Sequence, residues 1–310
     1  MINLFNIPTY NIDTSKFSSL LHDKIVTEFE ENFAEYVGAK YAVTLNSATN
    51  AIYLICKLFP NKNNTYWIPT MIPPVVCNAI ITSGNKVEFY EDVNWIGHSF
   101  FLSRQKQEDN DFNIIDSAQM VVKNQFNRDA NSRDLMYFSF YPTKPCGSAD
   151  GGMIVSNDKN KIDLIRQMTF NGMSQESNNW ERKQSMIGYK MYMNSIQAYI
   201  ANENLKRLDE KKEALSYIRD IYNAELGLDN DSNHLYRINV SDRDKFMQRA
   251  KEMGIVCGIH YECAHLNPIF GQTYLSLPES EAEAKKTVSI PFHENLSKED
   301  IYKVIKLVNG

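Results

Sequence analysis

Phe138-Ser139-Phe140-Tyr141-Pro142-Thr143-Lys144-Pro145-Cys146-Gly147, with Ala149-Asp150-Gly151-Gly152-Met153-Ile154-Val155 close behind, is the stretch on which the reading of this chain turns. An aromatic, β-prone run from Leu135 to Phe140 ends in a tight Pro-Thr-Lys-Pro turn, and a double glycine leads into a second strand. Most lysines are solvated surface charges. A lysine held in a turn between two buried strands differs, because burial penalises its ammonium form, lowers its pKa and frees the lone pair for amine chemistry. Lys144 is therefore a candidate catalytic amine, with a plain surface lysine as the alternative.

Upstream, Ile25, Phe29 and Phe33 recur at helical spacing between His22 and Tyr36, and Gly38 closes that helix. Tyr41–Leu45 reads as a short buried strand. Asn46-Ser47-Ala48-Thr49 then leads straight into an apolar helix, with Asn46 or Ser47 as its N-cap. A strand–turn–helix of this kind points backbone N–H groups at the turn and suits a phosphate; an ordinary capped helix accounts for the same residues. Tyr66–Thr70 is a further strand, Pro73 and Pro74 open a helix, and Lys86–Tyr90 is the next strand. Residues 104–112 are charged and loop-like. Phe112–Asp116 is a strand ending in a carboxylate, placed where α/β proteins bind ligands, with Gln119 three residues on; Asp116 as a cap of the next segment is the alternative. Strands alternating with helices define an α/β domain with a largely parallel sheet.

Downstream of Val155 a helix is expected around Lys161–Met168, then a loop rich in Gly and Asn (Asn171-Gly172-Met173-Ser174, Ser177-Asn178-Asn179). A long amphipathic segment runs from Asn194 to Leu226, and turn residues from Gly227 to Asn233 mark a boundary. The expected division is a large domain over 1–226, with an irregular N-terminal arm over 1–18, and a small C-terminal α+β domain over 227–310. In the latter His234–Val240 and Ile255–Tyr261 read as strands. Ser241 with Asp244 resembles a capping box, and Ser297 caps a final helix with Ile301, Val304, Ile305 and Val308 on one face.

The totals narrow the classes. The 310 residues, 43% hydrophobic with a net charge of −5, bury a sizeable core and carry no basic footprint for nucleic acid. The five cysteines form no C-x-x-C pair, as expected of free thiols in a reducing cytoplasm, and the six histidines form no metal-ligand cluster. The N-terminus does not read as a signal peptide, and no apolar run is long enough for a membrane span.

Taken in order, these pieces resemble the sugar aminotransferases of the DegT/DnrJ/EryC1/StrS type, from about residue 26 to the C-terminus. Phe29–Gly38 looks like the family's opening helix. Ser47-Ala48-Thr49 stands at its Ser-Gly-Thr phosphate turn, and Asp116-Ser117-Ala118-Gln119 is similar to its Asp-Ala-Ala-Gln. Ser139–Lys144 with Gly151-Gly152 matches its lysine motif. Gly188-Tyr189-Lys190-Met191-Tyr192-Met193-Asn194 resembles its Gly-Tyr segment, and Gly254-Ile255 with His260-Tyr261 and His265 matches its small domain.

The resemblance implies the PLP-dependent transferase fold type I, with a mostly parallel mixed sheet flanked by helices. It also implies pyridoxal 5′-phosphate as cofactor and a homodimer with sites at the interface. Lys144 would form the Schiff base and carry the proton; Asp116 would pair with the pyridine nitrogen; Gln119 would lie against the ring or its phenolate side. Ser47, Ala48, Thr49 and Ser139 would hold the phosphate, and Lys190 would reach the neighbouring subunit's phosphate. His260, Tyr261 and the Asn171–Asn179 loop would lie near the substrate, a nucleotide-linked keto sugar receiving the amino group of an amino acid, glutamate being the expected donor.

Three departures carry expectations of their own. Ala48 replaces a family glycine, which requires a negative φ there. Pro73 aligns where the family stacks an aromatic ring on the cofactor. Between Asp92 and Ile114 the chain is short for the usual strand and helix, leaving Trp95–Leu102 to supply a strand and predicting a rearranged sheet or a missing crossover. The shortening motivates a second reading, the same chemistry on a carbonyl compound that is not a sugar nucleotide. A degenerate, non-catalytic paralogue is the third.

Overall fold

The computed structural model describes residues 1–7, 9–60, 62–102, 112–173 and 183–310. The charged segment 104–111 and the Ser174 and Ser177–Asn179 part of the proposed substrate loop lie outside the described residues.

Helix α1 (Lys24–Val37) starts where the Asp23 carboxylate accepts from the Lys24 N–H and ends at Gly38, whose φ of 79° is the left-handed stop expected there. It is followed by β1 (Tyr41–Leu45), α2 (Ala48–Leu58), β2 (Thr65–Pro69), α3 (Pro74–Thr82), β3 (Lys86–Tyr90), β4 (Phe100–Phe101) and β5 (Ile114–Asp116). Then come α4 (Gln125–Asp129), β6 (Leu135–Ser139), β7 (Gly152–Ser156), α5 (Lys159–Thr169), α6 (Ser195–Lys206) and α7 (Leu208–Leu226). Last in the chain come β8 (Tyr236–Asn239), α8 (Arg243–Glu252), α9 (Pro278–Lys286), β9 (Thr287–Ile290) and α10 (Lys298–Asn309).

A five-stranded mixed sheet runs in the order β1-β7-β6-β5-β4. Only β5–β6 is a parallel pairing; β1–β7, β7–β6 and β5–β4 are antiparallel. The sheet is thus mixed and helix-flanked as expected, but less parallel than the alternation of strands and helices implied. Strand β7 follows β6 through the lysine turn without a crossover helix and must return antiparallel, and the short β4 also runs reversed. β2 and β3 form a separate parallel pair, and β8 and β9 an antiparallel one. Of the expected Trp95–Leu102 strand only Phe100–Phe101 forms. Among the described residues no helix intervenes between β3 and β5, in keeping with a missing crossover.

Both faces of the sheet are covered, which explains why β6 and β7 read as continuous apolar runs. Leu135, Tyr137 and Ile154 face a core shared with α2 and α3, while Met136, Phe138, Met153 and Val155 face one shared with α1 and α6. Phe33 of α1 packs edge-on against Phe138 and Phe140 at 4.9 and 5.2 Å. The expected long helix from Asn194 to Leu226 breaks at Arg207 because its halves serve different cores. Ala198, Ala201 and Leu205 of α6 pack with α1, while Leu215, Ile218 and Tyr222 of α7 pack with Tyr236, Val288 and Val304.

Two expectations for the C-terminal unit need correction. Ile255–Tyr261 is not a strand. Its β-prone residues pair piecemeal, Ile255 bridging Ile2 at the chain's start and Gly258 bridging Ser289, so no continuous ladder forms. The strand facing β8 is Thr287–Ile290 instead. The cap of α8 is Asp242, whose carboxylate accepts from Lys245 N, rather than Ser241. At the end of α7, by contrast, Gly227 (φ 65°) stops the helix at the anticipated turn. His265, fully buried, ties the C-terminal part of the chain to the residue after β2: its Nδ1 lies 2.7 Å from Thr70 Oγ1 and its Nε2 3.3 Å from Glu281.

Candidate active site

The direction of three strands gathers the site. β1, β5 and β6 run the same way, so Leu45, Asp116 and Ser139 end at one edge of the sheet, where β7 begins. Ser139 is in register with Gly152, Gly152 with Leu45, and Asp116 with Tyr137. The lysine turn folds back on this edge: Lys144 N donates to Tyr141 O (2.8 Å), Ser148 N to Phe140 O (2.8 Å) and Phe140 N to Gly151 O (2.9 Å). Ser148 Oγ donates to Gln197 O at 2.6 Å and Lys211 Nζ to Pro145 O at 3.2 Å, anchoring the turn on α6 and α7.

Burial lowers the Lys144 ammonium to about 8, and the nearby Asp116 carboxylate opposes that fall only in part. Asp116 is buried, which pushes its carboxyl up. The Tyr137 hydroxyl donating to Oδ2, the Ala118 N–H donating to Oδ1 at 2.8 Å, and the charge of Lys144 all pull it back. The result is a lysine that sheds its proton more readily than a surface one, opposite a carboxyl whose pKa burial raises and its neighbours pull back only in part.

Ser47 caps α2, its Oγ accepting from Asn50 N at 3.2 Å. The Ala48 and Thr49 N–H groups at the start of that helix have no acceptor among the described hydrogen bonds. Ala48 is helical and is not among the residues with positive φ, so the glycine of the resemblance is dispensable there. Glycine is required across the gap instead: a Cβ on Gly152 would lie 2.6 Å from Ala48 N. Ser139, buried beside Gly152, accepts from Tyr141 N at 3.3 Å. A tight backbone cradle at a helix N-terminus, a buried hydroxyl, a depressed lysine and a buried carboxylate on one edge fit a phosphorylated aldehyde cofactor with a basic ring nitrogen.

Gln119, His260 and Tyr261 join this cluster. Gln119 Nε2 donates to the Tyr261 hydroxyl at 3.0 Å. His260 Nδ1 lies 2.8 Å from Ser289 Oγ, and burial, with the charges of Lys144 and Arg237, takes its imidazole down to about 4. Pro73 is half-buried at the N-cap of α3. Asn171 N–H donates to Tyr189 O at 2.9 Å and its carbonyl accepts from Gln184, so its described hydrogen bonds hold it to the 184–189 segment. Lys190, on the same segment, is exposed and bridges Phe170.

Four contributors escaped the sequence reading. Tyr137 sits directly beside Asp116 in register, a signal visible once the strands are aligned. Trp95 stacks on Tyr261 at 6.1 Å and 10°, and Gly97 N donates to Gln119 Oε1 at 2.8 Å; both come from the shortened region. His234, buried and stacked on Phe5 at 5.6 Å, has its imidazole pushed well down by burial and by the charges of Lys144 and His260. No local pattern marked Trp95, Gly97 or His234, because each approaches from a segment distant in sequence.

The fold and site define a fold type I aminotransferase of the PLP-dependent class. The solved structures of the aminotransferase TlmJ from Streptoalloteichus hindustanus (TM-score 0.81, 22% identity, covering 99% of this chain and 98% of that one) and of Helicobacter pylori PseC (TM-score 0.80, 19% identity, 98% of each chain) share its architecture. The chain belongs to the DegT/DnrJ/EryC1/StrS aminotransferase family, whose profile matches residues 12–94 and 113–309. It is 25% identical to the UDP-4-amino-4,6-dideoxy-N-acetyl-beta-L-altrosamine transaminase of Campylobacter jejuni, over 94% of this chain and 93% of that protein. It is 27% identical to the spore coat polysaccharide biosynthesis protein SpsC of Bacillus subtilis, over 91% of this chain and 88% of that one.

Proposed function

We propose that this aminotransferase moves an amino group from an amino acid, with glutamate the expected donor, to the keto group of a nucleotide-linked deoxy sugar in polysaccharide or related glycan biosynthesis. The observation that carries the reading is the convergence of Lys144 and Asp116 beside the N-terminus of α2. The sugar-nucleotide transaminase activity of the Campylobacter relative and the polysaccharide-biosynthesis role of the Bacillus one support the substrate class.

Bound pyridoxal 5′-phosphate supplies a cationic ring that draws negative charge from the substrate carbon when that carbon loses its proton. The chain's own residues do the rest. Lys144 Nζ would carry the proton to and from the substrate carbon, a role its depressed pKa suits near neutral pH. Asp116 would pair with the ring nitrogen and keep it protonated. The N–H groups of Ala48 and Thr49, with the Ser47 and Ser139 hydroxyls, bind the phosphate. Gln119 and Pro73 bound the ring, and His260, Tyr261 and Asn171 serve the substrate side. Lys190, exposed in one chain, completes the phosphate site of a second copy, so the working unit is a homodimer, placed in the cytoplasm. Among the described residues no helix is long and apolar enough to cross a membrane.

A carbonyl substrate other than a sugar nucleotide is the second reading, favoured by the two-residue β4 and by the break in the family match between residues 94 and 113. The deciding experiment is the absorption spectrum of the purified protein with PLP, before and after glutamate. Bleaching of the lysine-bound band with formation of the amine form of the cofactor supports the proposal; a band indifferent to every amino acid sinks it. Lys144→Ala must abolish the lysine-bound band. Turnover with a panel of keto sugar nucleotides against simple keto acids and aldehydes then separates the two substrate readings.

A further inference from the structure

We propose that the turn Trp95–Ser99 is a positioning element, which through Gln119 aims the hydroxyl proton of Tyr261 into the Lys144 site. This rests on the function proposed above. The turn lies outside the family match, which stops at residue 94 and resumes at 113, yet it meets the site at three points.

First, Gly97 N donates to Gln119 Oε1 at 2.8 Å. A backbone N–H can only donate, so the carboxamide oxygen must face Gly97 and the amide nitrogen must face Tyr261, which it reaches at 3.0 Å. A phenol oxygen that accepts there leaves its own proton free for another partner, and burial keeps that phenol protonated. Second, Trp95 lies flat on Tyr261, and its indole N–H is tied to Met71 O at 3.2 Å. Third, Ser99 Oγ lies 2.7 Å from Ser117 Oγ, next to Asp116 in sequence, and Gln125 Nε2 donates to both hydroxyls at 3.1 and 3.0 Å. The turn closes through His98 N donating to Trp95 O at 2.8 Å. Gly97 has a φ of 94°, and a Cβ there would lie 2.4 Å from Ser232 Oγ, so glycine alone presents its N–H in this place.

The test is a double-mutant cycle of Trp95→Leu and Tyr261→Phe, read as the rate of amino transfer from glutamate in the cofactor-loaded protein. It is run beside hydrogen exchange of the Gly97 amide in the cofactor-free protein. If the turn acts through Tyr261, each change lowers the rate roughly fivefold to tenfold. The pair then falls no further than Tyr261→Phe alone, and Trp95→Phe keeps the rate within about twofold of wild type. Losses that multiply to roughly fiftyfold overturn the proposal, as does a folded Trp95→Leu protein with the wild-type rate. The exchange measurement needs neither cofactor nor a folded Trp95 variant: the Gly97 amide is expected to be protected in the wild-type chain and to lose that protection in Gln119→Leu. Rapid exchange in the wild type overturns the proposal. A wild-type protein that moves no amino group refutes the proposed function instead, and the exchange result still judges the turn.

Discussion

Replacing Gly152 by alanine tests the phosphate cradle directly. The new Cβ would lie 2.6 Å from Ala48 N, 2.7 Å from Ala48 Cα and 2.8 Å from Ser47 C, all of them backbone atoms with no rotamer to swing away. Ordinary contact is roughly 3.5 Å, so the first turn of α2 must retreat from β7 by about 0.8 Å. Overpacking of this kind costs about 1–3 kcal/mol, a fall of about 2–6 °C in the melting temperature of a chain this long. The same retreat carries the Ala48 and Thr49 N–H groups away from the phosphate. Losing most of one charge-assisted hydrogen bond, about 1.5–3 kcal/mol, weakens PLP binding roughly tenfold to a hundredfold. The assay pairs a thermal melt of the cofactor-free protein with a PLP titration followed by absorbance. A variant that melts lower yet binds PLP with wild-type affinity refutes the cradle, and one unchanged in both refutes the packing of β7 on α2.

Three further outcomes are expected. Tyr137→Phe removes a hydrogen bond that lowers the Asp116 carboxyl, so the acid limb of the amino-transfer rate moves to higher pH; a profile superimposable on wild type counts against the pairing. With Lys144 near 8 rather than 10.5, about a tenth of its amine is neutral at pH 7, against less than a thousandth for an unperturbed lysine. The cofactor-free protein should therefore capture PLP at a rate that rises with pH and levels near 8, and Lys144→Ala should abolish the capture. In stability the sign follows from burial: between about 8 and 10.5 the unfolded chain keeps a proton the folded one has lost, so this group's contribution to stability rises with pH through that window. Thr70→Val leaves the buried His265 Nδ1 without its partner and should destabilise by about 1–3 kcal/mol in denaturant unfolding, with amino-transfer kinetics unaltered.

Much of this protein was legible in one dimension because the decisive signals are local. A run of apolar residues, a capping serine and a stop glycine act within a few residues of where they stand, so α1, α2, β1, β6, β7 and the capped α10 fall where the pattern puts them. The lysine turn and the Asp116–Gln119 segment were visible for the same reason, since each strand carries its functional residue at its own end. Strand direction was not local. β4 and β7 run reversed because of how the connections close, which periodicity does not encode, and the Ile255–Tyr261 run lost its ladder to Ile2 and Ser289, far apart in the chain. The break at Arg207 came from two cores competing for one amphipathic segment. Tertiary packing alone brought Trp95, Gly97 and His234 to the site, through contacts between segments whose separation no sequence window spans. The chain's own chemistry thus named the amine and the carboxylate; the fold decided what surrounds them, and so how their protons are held.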